Sequence, residues 1–210
     1  MRSFLRDNGL TVALGAMFAL SVAGMVLTGR AALNNELAAH GQGVLGILSY
    51  VGTGHFLSAL FENWESEFLQ MAVYVVLTAI LFQRGSAESH DPEAPERPGD
   101  SVAWRARYPF LAWLYEHSLG LVLALLFLAS FLLHLWFSTK AANDEARLHG
   151  AVAQGLLAFL LDPQIWFESF QNWQSEFLST GVLVVLSIFL RHRGSPESKP
   201  VAAPNTTTGE

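Results

Sequence analysis

Two glutamates stand where a charge inside a membrane could do chemistry. The stretch FENWESEFLQ (61–70) returns 109 residues later as FQNWQSEFLS (170–179), and each copy sets a glutamate, Glu67 or Glu176, against a long apolar run. An acidic or basic side chain at the centre of a bilayer costs about 2.5–3.5 kcal/mol by insertion measurements, so one that stays there has a partner or a role. Glu67 sits in a stripe. Asn63, Glu67, Gln70, Tyr74 and Thr78 are spaced 4, 3, 4 and 4, which is one face of a helix. The second copy keeps Asn172, Glu176, Ser179 and Ser187, with Leu183 in place of the tyrosine. His134, near the outer end of another apolar run, is a titratable residue at similar depth and a partner for Glu67 or Glu176. Its counterpart 109 residues earlier is Met25, so the histidine breaks the match. Two carboxylates and an imidazole brought together would have coupled proton affinities, the design of a proton or cation site. The same residues also admit a structural role, with each glutamate at headgroup level accepting hydrogen bonds that lock the helix entry.

A second repeated pair is Glu36–His40 and Glu145–His149. Each is i, i+4, so both side chains share a helical face. Carboxylate and imidazole suit zinc or another transition metal, but E-x-x-x-H-G lacks the H-E-x-x-H spacing of a metalloprotease helix. A solvated helix ending at the following glycine explains the same letters.

The elements that must position these residues are apolar. Half the chain is hydrophobic (51%) and only 14% is charged, against about 25% charged in soluble domains. Leu10–Thr28 and Leu119–Phe137 carry no Asp, Glu, Lys or Arg over 19 residues each, the second with one histidine, His134; Phe68–Phe82 and Phe177–Leu190 are shorter, at 15 and 14. A helix needs about 20 residues to cross hydrocarbon. The expected fold is therefore all-α and integral to the membrane, with four spans at about 10–28, 64–83, 119–137 and 173–190.

The 109-residue offset runs through most of the chain. Of the 30 positions in 61–90, 17 are identical in 170–199. This predicts repeat units at 1–90 and 109–200. An acidic, proline-rich linker (86–108) joins them and a disordered tail (201–210) follows. Two spans per unit make the repeats parallel, related by an axis along the membrane normal. Nine Lys and Arg fall on the side of the termini and linker and three on the other, which places both termini in the cytoplasm. In the outer loops Asp162–Pro163 reads as an N-cap with proline at the first helical position, and 41–51 and 151–161 read as short interfacial or re-entrant helices.

Cysteine is absent, which excludes disulfide frameworks, thiol catalysis and Cys-ligated metals. No basic stripe suggests nucleic acid, and no phosphate loop, nucleophile elbow or dinucleotide fingerprint is present. No cofactor is implied.

The segments HFLSALFENWESEFLQ with QRGSAES, and FESFQNWQSEFL with RHRGSPESKP, carry a family likeness. The chain resembles a bacterial family of small tandem-repeat membrane proteins known only as a domain of unknown function. That resemblance spans nearly the whole chain and implies a bacterial inner-membrane protein. It supplies no activity, cofactor or site residue. The family often carries a longer polar segment around the outer Glu–His pairs than this chain does. The first functional expectation is a non-enzymatic membrane protein whose repeated Trp–Glu motif is structural or docks a protein partner or a second copy. The alternative is a small proton or cation channel or transporter. An outward-facing metal-dependent enzyme stands third.

Overall fold

The computed structural model describes residues 2–93 and 99–209. Within the expected linker, Ala94–Pro98 lie outside the described residues. The chain is all-helical, about 69% helix, with no strand among the described residues. Among the described residues seven helices follow in order: α1 (Arg2–Ala39), α2 (Ile47–Val51), α3 (Gly54–Ile80), α4 (Pro109–Glu116), α5 (Ser118–Leu148), α6 (Leu156–Leu160) and α7 (Pro163–Phe189). Two of them, α1 from Phe4 and α5, are long and apolar enough to cross a membrane. Helices α3 and α7 carry the Glu-containing motifs in their first halves and turn apolar only afterwards.

The helix bounds recur at a fixed spacing. α2 and α6, and α3 and α7, begin and end 109 residues apart, as do the C-terminal ends of α1 and α5. Asn8 interrupts α1 with non-helical angles, and His117 breaks α4 from α5 at the matching position. Left-handed glycines stand at Gly41 and Gly150 (φ 68° in both) and at Gly85 and Gly194 (φ 85° and 84°). A side chain is strained there, and glycine is not.

The chain forms two compact units. The first comprises residues 1–60 and 135–159. Tyr50 on α2 is buried, 1% exposed, and its ring fills the space that a side chain at Gly29 of α1 would need. Asn34 clamps the loop after α1, accepting from Leu45 N at 2.7 Å and donating to Leu45 O at 3.1 Å. Asn143 does the same to Gln154, at 2.7 and 2.9 Å. The start of α3 approaches α5 closely: a Cβ on Gly54 would lie 2.6 Å from Ala141 N and 3.0 Å from Phe137 O.

The second unit comprises residues 61–134 and 160–210. Asp162 caps α7 by accepting from Gln164 N at 2.9 Å, with Pro163 in the first turn, as the sequence predicts. The loop after α3 is fixed to α7 by Ser86 and Ser187 hydroxyls 2.9 Å apart. The tail differs from expectation. Residues 201–209 form turns on that loop, with Thr208 Oγ1 accepting from Gly85 N at 2.8 Å and Gly209 N donating to Ser86 O at 2.9 Å. A buried lysine is the reason. Lys199 Nζ donates to the carbonyls of Gly85, Asn205 (3.1 Å) and Thr207 (2.9 Å), which satisfies an ammonium that could not otherwise leave water.

Candidate functional site

In the second unit, the residues that come together are His134, Glu65, Glu62 and Glu168. On α3, Glu62 and Glu65 are one turn apart and share a face. On α7, Glu168 and Asn172 do the same. His134, on α5, is fully buried, as is Glu65. Its Nδ1 lies 2.7 Å from Glu65 Oε2 and its Nε2 3.4 Å from Glu168 Oε2. The other oxygen of Glu65 accepts from the Trp173 indole at 2.9 Å. Asn172 Nδ2 donates to Glu62 Oε1 at 2.6 Å, and Gln164 Nε2 donates to Glu168 Oε1 at 2.7 Å. An aromatic wall of Phe127, Phe131, Trp166, Phe170 and Trp173 adjoins the cluster, with ring centroids 5.3–6.2 Å apart.

Glu62, Glu65 and Glu168 all act on His134. Two buried atoms, His134 Nε2 and Ser169 Oγ, lack a well-aligned hydrogen bond. A buried carboxylate is costly unless a proton or a cation neutralises it. Among the described residues no group of three or more His, Asp or Glu has the geometry to hold a metal ion. The chemistry this cluster can do is proton uptake and release, passed between carboxylate and imidazole.

The residues singled out from sequence divide. His134 is at the centre, but its partners are Glu65 and Glu168, not Glu67 and Glu176. Glu67 is exposed and Glu176 half-buried, within electrostatic reach of each other. Asn63 is exposed, and Asn172 joins the cluster through Glu62. Gln70 bridges from α3 to α7, donating to Glu176 O at 3.0 Å, to Ser179 Oγ at 3.3 Å and to Thr180 Oγ1. Further along, Gln70, Tyr74 and Thr78 line a cavity of about 490 Å³ with Thr180, Gly181 and Glu88. The stripe therefore divides between the surface and a cavity. The five residues stay within about 80° of arc at 100° per residue; the division runs along the helix, with Asn63 and Glu67 exposed nearer its start and Gln70, Tyr74 and Thr78 on the cavity further on.

At the loop end of that cavity Tyr74 donates to Glu88 Oε2 at 2.8 Å. Burial pushes the Glu88 carboxyl above the usual carboxylate range; the tyrosine hydrogen bond opposes this and the neighbouring Glu197 reinforces it.

In the first unit the two histidines of the Glu–His pairs meet, but among the described residues no carboxylate joins them to make a group of three. The His40 and His149 rings lie edge to face with centroids 5.4 Å apart. Each Nδ1 is 3.0 Å from the carbonyl of the glutamate four residues earlier, so the histidines close the last turns of α1 and α5.

Glu65, Glu62 and Glu168 were missed from sequence, although a signal exists. At the 109-residue offset Glu62 and Glu65 face Gln171 and Gln174, Glu168 faces Ala59, and His134 faces Met25. Each of these positions is titratable in one copy only, Glu62 and Glu65 in the first and His134 and Glu168 in the second.

Comparison with known proteins gives one match. The whole chain, residues 1–210, matches the model of a family described as a domain of unknown function, DUF6766. No curated protein and no solved structure matches the chain.

Proposed function

The chain belongs to the DUF6766 family, and we propose that it is a multi-pass protein of the bacterial inner membrane that takes up and releases protons at the His134 cluster, as the core of a small proton-conducting or proton-coupled pathway. One observation carries the proposal: the imidazole of His134 is fully buried, with oxygens of Glu65 and Glu168 at 2.7 and 3.4 Å from its two ring nitrogens and Glu62 within electrostatic reach. Such a site changes charge by binding protons. Glu168 is 25% exposed and gives the buried pair a connection toward solvent. The cavity on the loop side is mostly apolar, with Gln70, Tyr74, Thr78 and Glu88 set into its wall.

The membrane reading includes four spans in two parallel repeats, with both termini and the 86–108 linker cytoplasmic. Support comes from the 109-residue recurrence of helix bounds, left-handed glycines and asparagine clamps. The apolar stretch of α1 has essentially none of its residues buried, and an apolar surface of that size needs lipid or protein to cover it. Trp104, Tyr108, Phe110, Trp113 and Tyr115 are exposed around α4 and suit the inner membrane interface.

A structural role for the same cluster has its own support, since both Glu65 oxygens accept hydrogen bonds. Flux measurement separates the two. In proteoliposomes with an internal pH dye, wild-type protein should collapse an imposed proton gradient. Glu65→Gln and His134→Gln should slow the collapse at least tenfold, and Glu67→Gln should not. Wild-type vesicles no leakier than protein-free ones, with Glu65→Gln lowering only stability, would leave the cluster as a lock.

A further inference from the structure

The first unit holds a second histidine site, independent of the His134 cluster. We infer that His40 and His149 together bind a transition-metal ion of the Zn²⁺ or Cu²⁺ class, joining the C-terminal ends of α1 and α5 through their two Nε2 atoms.

The tautomer is the first argument. A carbonyl oxygen can only accept a hydrogen bond, so the Nδ1 that sits 3.0 Å from Glu36 O in His40, and the one 3.0 Å from Glu145 O in His149, each carry the proton. In the neutral ring this leaves the Nε2 lone pair free. A metal-binding histidine is held in the same way, one nitrogen donating to a fixed acceptor and the other turned to the metal.

The spacing is the second argument. Two imidazoles on one tetrahedral ion, with metal–nitrogen bonds of about 2.0–2.1 Å, place their ring centroids about 5.2 Å apart. The rings are 5.4 Å apart with planes at 77°. The ring separation is thus the one a shared ion requires.

The third argument is room. Both histidines are exposed. The glycines that follow them, Gly41 and Gly150, take left-handed angles (φ 68°), and a Cβ on either would meet nothing within 4 Å. Among the described residues no third His, Asp or Glu completes a metal set. The remaining coordination positions would hold water, so the ion is exchangeable and open to an outside ligand.

The test uses tag-free, full-length protein in detergent. Zn²⁺ binding is followed by calorimetry, and Cu²⁺ coordination by electron paramagnetic resonance. The substitutions are His40→Asn and His149→Asn, because an asparagine amide keeps a donor near the helix-end carbonyl while removing Nε2. His90→Asn, in the loop after α3, serves as control. The expected result is one Zn²⁺ per chain, a Cu²⁺ spectrum split by two nitrogens, and at least tenfold weaker Zn²⁺ binding in each single variant but not in the control. No binding by wild type, a one-nitrogen Cu²⁺ spectrum, or a double variant binding as tightly as wild type would each overturn the assignment.

Discussion

Removing the Glu65 carboxylate should be the most damaging small change in the chain. Its two oxygens accept from His134 Nδ1 at 2.7 Å and Trp173 Nε1 at 2.9 Å, and both Glu65 and His134 are fully buried. Hydrogen bonds to charged groups contribute about 1.5–3 kcal/mol each, so losing two costs about 3–6 kcal/mol. Removing one partner of a buried ion pair costs about 3–5 kcal/mol by independent measurement. The two routes agree on about 3–5 kcal/mol for Glu65→Ala. Glu65→Gln should be far milder, at about 1–2 kcal/mol. Its amide oxygen can still accept from Trp173, and the imidazole can shift its proton to Nε2, facing Glu168 at 3.4 Å. Glu67→Ala, two residues on and exposed, should stay within about 0.5 kcal/mol of wild type. The assay is reversible unfolding in mixed micelles, with a double-mutant cycle against His134→Leu that should return a coupling of about 0.5–3 kcal/mol. If Glu65→Ala costs no more than Glu67→Ala, or the cycle shows no coupling, the buried pair does not exist as described.

Three further outcomes follow from packing, capping and charge. A Cβ on Gly54 would strike backbone atoms of Ala141 and Phe137; Gly54→Ala should destabilise by about 1–3 kcal/mol, outweighing the helix-propensity gain, while Gly181→Ala in open space on α7 should stabilise by about 0.5–1 kcal/mol, both read as melting shifts. Asp162→Ala should cost about 1 kcal/mol through loss of the α7 cap, visible in the same melts. The raised Glu88 carboxyl binds its proton more tightly folded than unfolded, so its contribution favours the fold at low pH and is lost as pH rises from the unfolded carboxylate value through the folded one; Glu88→Gln should flatten the melting-temperature profile over that window and raise stability above it.

The architecture was legible because it rests on patterns with a period. Apolar runs, the Asp162–Pro163 start and the 109-residue offset locate the apolar parts of α1, α3, α5 and α7, but the helices run on past them: α1 at both ends (Arg2–Ala39 against about 10–28), α3 and α7 at their polar entry turns and α5 in a polar extension. The Glu–His pairs were legible as helical neighbours, and the following glycines as caps, but two helix ends meeting is a tertiary fact that no spacing encodes. The site was half legible. His134 stood out because it breaks the match with Met25. Glu65 did not, because a stripe drawn through Asn63, Glu67 and Gln70 passes about 200° away around the helix from Glu65. That stripe followed what is polar in both copies. The buried charges are the ones the second copy replaces with Gln171 and Gln174. The tail misled because composition reports a lack of apolar residues, and its ordering depends instead on one lysine reaching carbonyls of the loop and tail.

The most direct test of the central claim is proton uptake at the cluster itself, followed by infrared difference spectroscopy of purified protein across pH. Wild type should show a carboxyl band and an imidazole band that titrate together, and both should disappear in Glu65→Gln and in His134→Gln while persisting in Glu67→Gln. Wild-type spectra without coupled bands, or bands unchanged in the Glu65 and His134 variants, would contradict a proton site at His134.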